Sequence, residues 1–229
     1  MRLYLSSWRI GDHAGALLAL LSGGHSGPSD GTRAAIVHNA LDNISDMARE
    51  LYRTEVYDPV AEFAALGIAT ETLDLRDYFG DPAGLRARLR QFDLVWVMGG
   101  NAFILRRAMQ QSGFDEVIVE LLDNDEIVYG GFSAGAVVAA PSLEGIQLID
   151  DPTELPPGYR SEVVWDGLGL IDHAIIPHYR SPHPETHAAE RAVRHLSARG
   201  LRYRALRDGE VIVWTEDRRV PVDPERRIA

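Results

Sequence analysis

The sequence predicts an α/β fold, a doubly wound and mostly parallel sheet flanked by helices, built by residues 1–229 as a single domain. Three observations predict it. Short apolar runs alternate with segments of helical period, two of the runs end in glycine-rich turns, and the chain shows no internal repeat or linker. Parallel strands of such a sheet place ligands at their carboxyl ends, where both glycine-rich turns fall.

The first half of the chain contains four predicted strands, and a predicted helix follows each of the last three. The strands are expected at 2–7, 34–40, 69–75 and 93–101, and the helices at 42–67, 83–91 and 102–113. Gly67 and Gly113 are typical helix ends. The fourth strand, DLVWVMGGN, is rich in β-branched residues and ends in paired glycines.

The second half repeats this pattern and adds a long loop. A helix is expected at 115–124, a strand at 126–133 and a helix of small residues at 134–140. Residues 141–163, rich in proline and acids, are interpreted as a loop that borders a site. Residues 171–200 predict a strand, a turn and a helix that begins near Pro184, and 202–214 predict a hairpin with an Asp-Gly turn.

Composition excludes several classes of function. With 23 Lys+Arg against 34 Asp+Glu the net charge is −11, which argues against nucleic acid or an anionic membrane as the main partner. The absence of cysteine excludes disulfides, thiolate catalysis and cysteine-based zinc sites. No stretch approaches the ~20 apolar residues of a spanning helix, and no cleavable leader is evident. We therefore expect a cytoplasmic protein with a small-molecule or peptide substrate and no cofactor.

The segment Gly131-Phe132-Ser133-Ala134-Gly135 fits G-x-S-x-G, a strand-to-helix turn that exposes a serine hydroxyl at the sheet edge. Small neighbours are needed because a tight turn leaves no room for side chains. The same residues would also suit close packing of a helix on the sheet without any catalytic role. The choice depends on whether a base and an acid accompany the serine.

His178, in IIPHYRS, follows an apolar strand and is the best-placed base among eight histidines. Two sets of acids compete to orient it. Asp208 lies in the turn before Gly209, whereas Asp150 and Asp151 lie in the long loop. Each acid could equally be an ordinary turn or loop residue.

An acyl-transfer site also needs N–H donors aimed at the developing oxyanion. The N–H of Ala134 supplies one, and that of Gly100, at the neighbouring strand end, supplies a second. The segment GGNAF lacks a P-loop lysine and the spacing of a dinucleotide fingerprint, so nucleotide binding is weakly supported. Asn101, beside the glycine pair, and Arg180, a fork suited to a carboxylate, are the predicted substrate contacts.

Taken together, VWVMGGNAFILRRAM, VYGGFSAGAVVAAPSL, IIPHY and ALRDGEVIV resemble, in that order and spacing, the dipeptidase E (serine aspartyl-dipeptidase) family. The resemblance covers most of the chain and is far more specific than any single motif. It implies a flavodoxin-like fold of the class I glutamine amidotransferase type in which serine replaces the nucleophilic cysteine. Cyanophycinases are similar to this family and share its serine turn.

By this resemblance Ser133 matches the family's nucleophile, His178 its base, and Gly100 and Ala134 its oxyanion donors. The acid of the best-known members is a glutamate, where this chain has Asp208, shorter by one methylene. We favour Asp208 over Asp150 or Asp151. The chain order Ser, His, Asp differs from that of an α/β-hydrolase, where the acid precedes the histidine.

The resemblance implies a serine peptidase for short peptides, of dipeptidase or aminopeptidase type. Aspartate-specific members carry an arginine where this chain aligns Ala188, which puts a preference for N-terminal Asp in question. One rival is a metal hydrolase using His178, His183 and His187, although prolines at 182 and 184 disturb that spacing. Other rivals are a non-peptidase acyl hydrolase and an inert module on the same fold. Apolar surface on an edge strand would be compatible with a homodimer.

Overall fold

The large sheet and its helices are seen in a computed structural model that describes residues 1–23 and 31–215. The strands are β1 (Arg2–Ser6), β2 (Arg33–Val37), β3 (Ala69–Thr72), β4 (Leu94–Val97), β5 (Val128–Phe132), β6 (Ala174–Ile176), β7 (Tyr203–Ala205) and β8 (Val211–Thr215). The α-helices are α1 (Ala14–Ser22), α2 (Asp46–Glu55), α3 (Pro59–Ala65), α4 (Pro82–Leu89), α5 (Ala102–Ser112), α6 (Phe114–Asp123), α7 (Ala134–Val137) and α8 (Thr186–Ala198). Short 3-10 turns occupy Asn39–Leu41, Leu75–Tyr78 and Ile146–Leu148.

Six strands form one sheet in the order β3-β2-β4-β5-β1-β8, and β6 and β7 form a separate parallel pair. All neighbours in the large sheet run parallel except β8, which is antiparallel to β1. The predicted doubly wound, mostly parallel α/β fold is therefore confirmed. Because β5 lies between β4 and β1, the turns after these three strands meet at one edge.

The sheet is covered on both faces. On one face Trp96 of β4 packs with Leu17 of α1 and Phe63 of α3. On the other face α4 to α8 contribute to a larger apolar cluster that includes Phe103 and Leu121. Burial on both sides explains why β4 and β5 are continuous apolar runs rather than alternating ones. Each fully buried large apolar side chain contributes about 1.5–3 kcal/mol.

The predicted helix over 42–67 is in fact two helices, because the chain turns at Asp58-Pro59. The Asp58 side chain accepts the N–H of Ala61 and so caps α3, while Pro59 has no N–H to continue α2. All residues of α2 remain at least partly exposed, so the break costs the core little.

The predicted hairpin over 202–214 is wrong. β7 pairs in parallel with β6, whereas β8 pairs with β1 in the large sheet. The turn at 208–209 therefore links two sheets instead of two strands of one hairpin. Residues 202–206 and 211–214 each form their backbone hydrogen bonds with a strand that is distant in the sequence. Local sequence does not reveal such a partner.

No helix in the described ranges is both long and apolar enough to cross a bilayer. The longest helix among the described residues, α8, has 13 residues, fewer than the roughly 20 that a span requires.

Candidate active site

Ser133 lies at a sharp turn between β5 and α7, at the carboxyl edge of the large sheet. Its backbone has φ 48° and ψ −118°, a conformation that non-glycine residues rarely adopt. The turn depends on glycine, because a Cβ at Gly135 would lie 2.1 Å from the Val97 carbonyl oxygen and one at Gly131 would lie 2.8 Å from Gly135. Backbone strain held in place by close packing is typical of functional positions. The strained turn holds the half-buried Ser133 side chain at the sheet edge.

His178 is carried by the turn that follows β6 and is 1% exposed. Its Nε2 lies 3.1 Å from Ser133 Oγ, and its Nδ1 lies 2.7 Å from Asp208 Oδ1. Its backbone also adopts a positive φ, of 58°. The three side chains thus form one continuous hydrogen-bonded chain from the serine through the imidazole to the carboxylate.

Asp208 reaches the histidine from the turn between β7 and β8. Its Oδ1 is 3.0 Å from the Ser7 hydroxyl, and its backbone N–H donates to Ser181 Oγ at 2.8 Å. Burial alone would raise the pKa of Asp208, but hydrogen bonds to His178 and Ser7 and the charge of the imidazole hold this pKa below its usual value. An ionised carboxylate only accepts hydrogen bonds. Nδ1 of His178 therefore donates to Asp208, and Nε2 faces the Ser133 hydroxyl.

The two alternative acids make other contacts. Asp150 Oδ2 accepts the N–H of Ala102 at 2.9 Å. Asp151 Oδ1 accepts the backbone N–H and the hydroxyl of Thr153, at 2.8 Å and 2.7 Å. Within the described residues neither carboxylate is hydrogen-bonded to His178. The structure brings Asp208 to the imidazole and leaves Asp150 and Asp151 in the loop beside α5.

The two predicted N–H donors lie on neighbouring strand ends, since Val97 of β4 pairs with Gly131 of β5. Gly100 has φ 136°, and a Cβ there would lie 2.5 Å from the Ala40 carbonyl oxygen. In residues 1–23 and 31–215 neither the Gly100 N–H nor the Ala134 N–H has a hydrogen-bond acceptor. Unpaired N–H groups beside a serine hydroxyl can stabilise a negatively charged oxygen.

Of the two predicted substrate contacts, Asn101 is hydrogen-bonded within the protein and Arg180 is exposed. The Asn101 side chain caps α5 by accepting two backbone N–H groups, and its amide donates to Asp151 O and Glu154 Oε2, both at 2.9 Å. The hydrogen bonds of the Asn101 side chain thus hold the loop of residues 150–154 against the sheet edge. The Arg180 side chain is 61% exposed, with Nε 3.9 Å from Glu190 Oε1. It lies in solvent.

Sequence reasoning missed Ser7, which joins the base to the acid. Ser7 follows β1, and its Oγ accepts the backbone N–H of His178 at 2.8 Å as well as contacting Asp208. A signal was available, because the SS pair ends a buried strand at the same carboxyl edge as Ser133. The pairing of β1 with β5, which makes this edge shared, is visible only in the fold.

Two aromatic rings fix the plane of the His178 imidazole: that of His183, considered from the sequence only as a metal ligand, and that of Trp8, which sequence reasoning missed. The His183 ring stacks on the imidazole with centroids 3.7 Å apart and an interplanar angle of 9°. Trp8 meets both rings edge-on, at 5.7 Å from His178 and 5.3 Å from His183. The imidazole is therefore held by packing on its face as well as by hydrogen bonds at both nitrogens.

One group of side chains could offer metal ligands. Ligand atoms of His178, His183 and Glu185 lie within 4.8 Å of one another; His187, expected in such a group, is exposed on α8 and is not part of it. Glu185 Oε2 is 3.8 Å from His178 Nε2 and 4.0 Å from His183 Nδ1, wider than the roughly 3.3 Å between two ligands of tetrahedral zinc. His183 Nδ1 also accepts the Glu185 N–H at 3.2 Å. A metal would bind here only if these side chains moved.

Comparisons with known proteins identify the family. A family model described as peptidase family S51 matches residues 43–220. The chain is 39% identical over 112 residues to peptidase E of Streptomyces coelicolor, a match covering 48% of this chain and 41% of that protein. It is 34% identical over 116 residues to an uncharacterized peptidase of Listeria innocua, covering 51% and 49%. It is 31% identical over 126 residues to a probable alpha-aspartyl dipeptidase of Drosophila melanogaster, covering 53% and 49%.

The chain spans about half the length of the curated relatives it matches. Among solved structures, a candidate peptidase E of Listeria monocytogenes superimposes with a TM-score of 0.64 at 21% identity, covering 94% of this chain and 98% of that one. At that identity the likeness shows the fold alone.

Proposed function

The chain belongs to peptidase family S51, and from this premise we propose that it is a serine peptidase that hydrolyses short peptides through Ser133, His178 and Asp208. The observation that carries the proposal is the unbroken hydrogen-bonded chain of these three side chains, 3.1 Å and 2.7 Å long at its two links. The strained backbone of Ser133 supports it, because simple helix packing does not require a positive φ at a serine.

In the proposed reaction Ser133 Oγ attacks the peptide carbonyl carbon while His178 Nε2 accepts the hydroxyl proton. The tetrahedral intermediate collapses, the C–N bond breaks, and the imidazolium returns the proton to the departing amine. Water then adds to the acyl-enzyme ester with His178 again as base, which releases the acid and restores Ser133. Asp208 stays ionised throughout and stabilises the imidazolium.

The N–H groups of Gly100 and Ala134 are proposed to bind the oxyanion. Removing one such donor typically costs about 10²–10³ in kcat. Asn101, Asp150 and Glu154 are proposed to act indirectly, because they order the loop that adjoins Gly100.

The relatives named peptidase E and alpha-aspartyl dipeptidase suggest a dipeptidase or aminopeptidase. We propose that the N-terminal residue is released, with Arg180 outside the substrate contacts because of its exposure. An acyl hydrolase for other esters or amides on the same machinery is the alternative, since the triad itself does not select the leaving group.

The experiment compares wild type with Ser133→Ala on a panel of dipeptides and aminoacyl chromogenic amides, with EDTA present. We expect wild-type turnover that survives EDTA and that falls by several orders of magnitude in the variant. Ser22→Ala, an exposed serine of α1, is the matched control and should behave as wild type. Turnover that is lost with EDTA, or retained by Ser133→Ala, would refute the proposed mechanism.

A further inference from the structure

Glu185 presents a carboxylate without a hydrogen-bond donor near the imidazole of His178. It lies in the turn before α8, with its side chain 42% exposed. Its nearest charged-group contacts are His178 Nε2 at 3.8 Å and His183 Nδ1 at 4.0 Å, both beyond hydrogen-bond range. Among the residues that the structure describes, none donates a hydrogen bond to this carboxylate.

The position of Glu185 suits the first nitrogen of a peptide. Ser133 Oγ and Glu185 Oε2 both approach His178 Nε2, so they are at most about 7 Å apart. In a peptide the α-amino nitrogen lies about 2.5 Å from the first carbonyl carbon, and attack requires that carbon within about 3–3.5 Å of Oγ. An α-ammonium group at that distance can reach the Glu185 carboxylate when the first peptide bond is aligned with Ser133.

In the part of the chain that the structure describes, no arginine pairs with the Glu185 carboxylate. The sequence contains no lysine, and the nearby arginines are used elsewhere. The Arg9 guanidinium lies over the rings of Trp8 and Tyr57 and donates to the Val56 carbonyl oxygen. Arg180 is in solvent near Glu190. Of the described basic side chains, only His178 and His183 approach the Glu185 carboxylate, and neither is within hydrogen-bond distance of it.

Burial is the main cause that raises the pKa of Glu185; His178 opposes it, and the negative charge of Asp208 adds a smaller upward shift. A cationic ligand would relieve this unfavourable charge.

We propose that Glu185 is a specificity-determining residue that binds the protonated α-amino group of the substrate, and that it selects peptides with a free N-terminus. This inference rests on the proposed peptidase function. Glu185 touches the substrate and takes no part in proton transfer, so it differs in role from the His178–Asp208 pair.

The test uses matched substrates, a leucyl p-nitroanilide with a free amine and its N-acetyl counterpart, with wild type, Glu185→Gln and Glu185→Asp. Charge-assisted hydrogen bonds of this kind are about twice as strong as neutral ones. We expect kcat/KM for the free amine to fall about 10- to 100-fold in Glu185→Gln and to recover in part in Glu185→Asp, while cleavage of the N-acetyl substrate stays unchanged. Glu116→Gln, exposed on α6, is the control and should match wild type.

An equal loss on both substrates would overturn the proposal, because it would show that Glu185 acts on His178 rather than on the amine. An unchanged preference for the free amine would overturn it as well. If wild type cleaves neither substrate, the peptidase function fails for this class of amide. The role of Glu185 is then tested separately, by calorimetric measurement of peptide binding to Ser133→Ala. Leucyl-leucine should then bind at least 10-fold more tightly than its N-acetyl form, and Glu185→Gln in the same background should abolish that difference; equal binding would refute the inference.

Discussion

At the scale of single residues, the imidazole of His178 is fixed from four directions. Its two ring nitrogens contact Ser133 and Asp208, its backbone N–H donates to Ser7, and the His183 ring covers its face. A general base must keep the correct tautomer and orientation to accept a proton from the nucleophile. These contacts supply both, and most come from residues that are distant in the sequence.

Asp208→Asn tests which acid orients the base. An asparagine amide would favour the wrong imidazole tautomer, so we expect kcat/KM to fall on the order of 10³- to 10⁴-fold. Asp150→Asn should retain activity within about threefold, because Asp150 bonds to the Ala102 N–H, which an amide oxygen can also accept. Steady-state kinetics on one chromogenic substrate measure both. A larger loss in Asp150→Asn than in Asp208→Asn would refute our assignment of the acid.

At the scale of elements, the site depends on how closely α7 approaches the sheet. The helix follows Ser133 directly, and Gly135 allows its backbone to contact the Val97 carbonyl at the end of β4. This contact holds the strained serine turn and keeps the Ala134 N–H beside the hydroxyl. A helix of four residues has little stability of its own, so packing against β4 and β5 must hold it.

Gly135→Ala should therefore be damaging. A Cβ there would lie 2.1 Å from a backbone oxygen that cannot move cheaply, so we expect about 1–3 kcal/mol of destabilisation and a large loss of kcat. Gly15→Ala in α1 is the matched control, because a Cβ at Gly15 meets nothing within 4 Å, and alanine in a helix is favoured by about 0.5–1 kcal/mol. Urea denaturation and kinetics measure the pair. If the two variants had the same free energy of unfolding, close packing of α7 against β4 would not explain why position 135 is a glycine.

At the scale of the whole molecule, the site lies where two sheets meet. Ser133 and Ser7 come from the large sheet, whereas His178 and Asp208 follow strands of the small one. Their mutual hydrogen bonds therefore hold the β6–β7 pair against the large sheet. The net charge of −11 adds a general repulsion between acids that grows with pH.

Stability should depend on pH through Asp150. Burial, followed by the charges of Glu185 and Glu154, raises its pKa from 3.8 to about 7. Between these values the folded protein keeps a proton that the unfolded chain has lost, so stability falls as pH rises through this window. Asparagine does not ionise, so Asp150→Asn should lack this pH dependence. We expect the free energy of unfolding of the variant, relative to that of wild type, to rise by roughly 2–4 kcal/mol between pH 4 and pH 8.

Urea denaturation at several pH values measures this change. Asp151→Asn is the matched control, since the neighbouring carboxylate is exposed and hydrogen bonds from Thr153 lower its pKa. Its substitution should not flatten the pH dependence. The same slope for Asp150→Asn and wild type would mean that Asp150 is ionised in the folded protein without cost.

The sequence by itself determined the elements with strong local signals. Alternating apolar runs and helical periods set the α/β fold, now confirmed, and G-x-S-x-G with the Gly-Gly pair identified both turns at the sheet edge. The sequence indicates Ser133 through G-x-S-x-G and His178 through the apolar strand before it, and it leaves the acid open between Asp208 and Asp150 or Asp151. The family resemblance favours Asp208. That Ser133, His178 and Asp208 are hydrogen-bonded to one another is a result of the structure; their catalytic roles remain proposals.

Only the tertiary structure decided the contacts between distant segments. It joined Asp208 rather than Asp150 to the imidazole, separated β7 from β8, and brought Ser7 and Glu185 to the same edge. Local sequence cannot supply these pairings, because an apolar run is compatible with several neighbours and the choice is made by burial of the whole sheet. The turn before α8 carries no periodic pattern, so Glu185 becomes a candidate only when its distance to His178 is known.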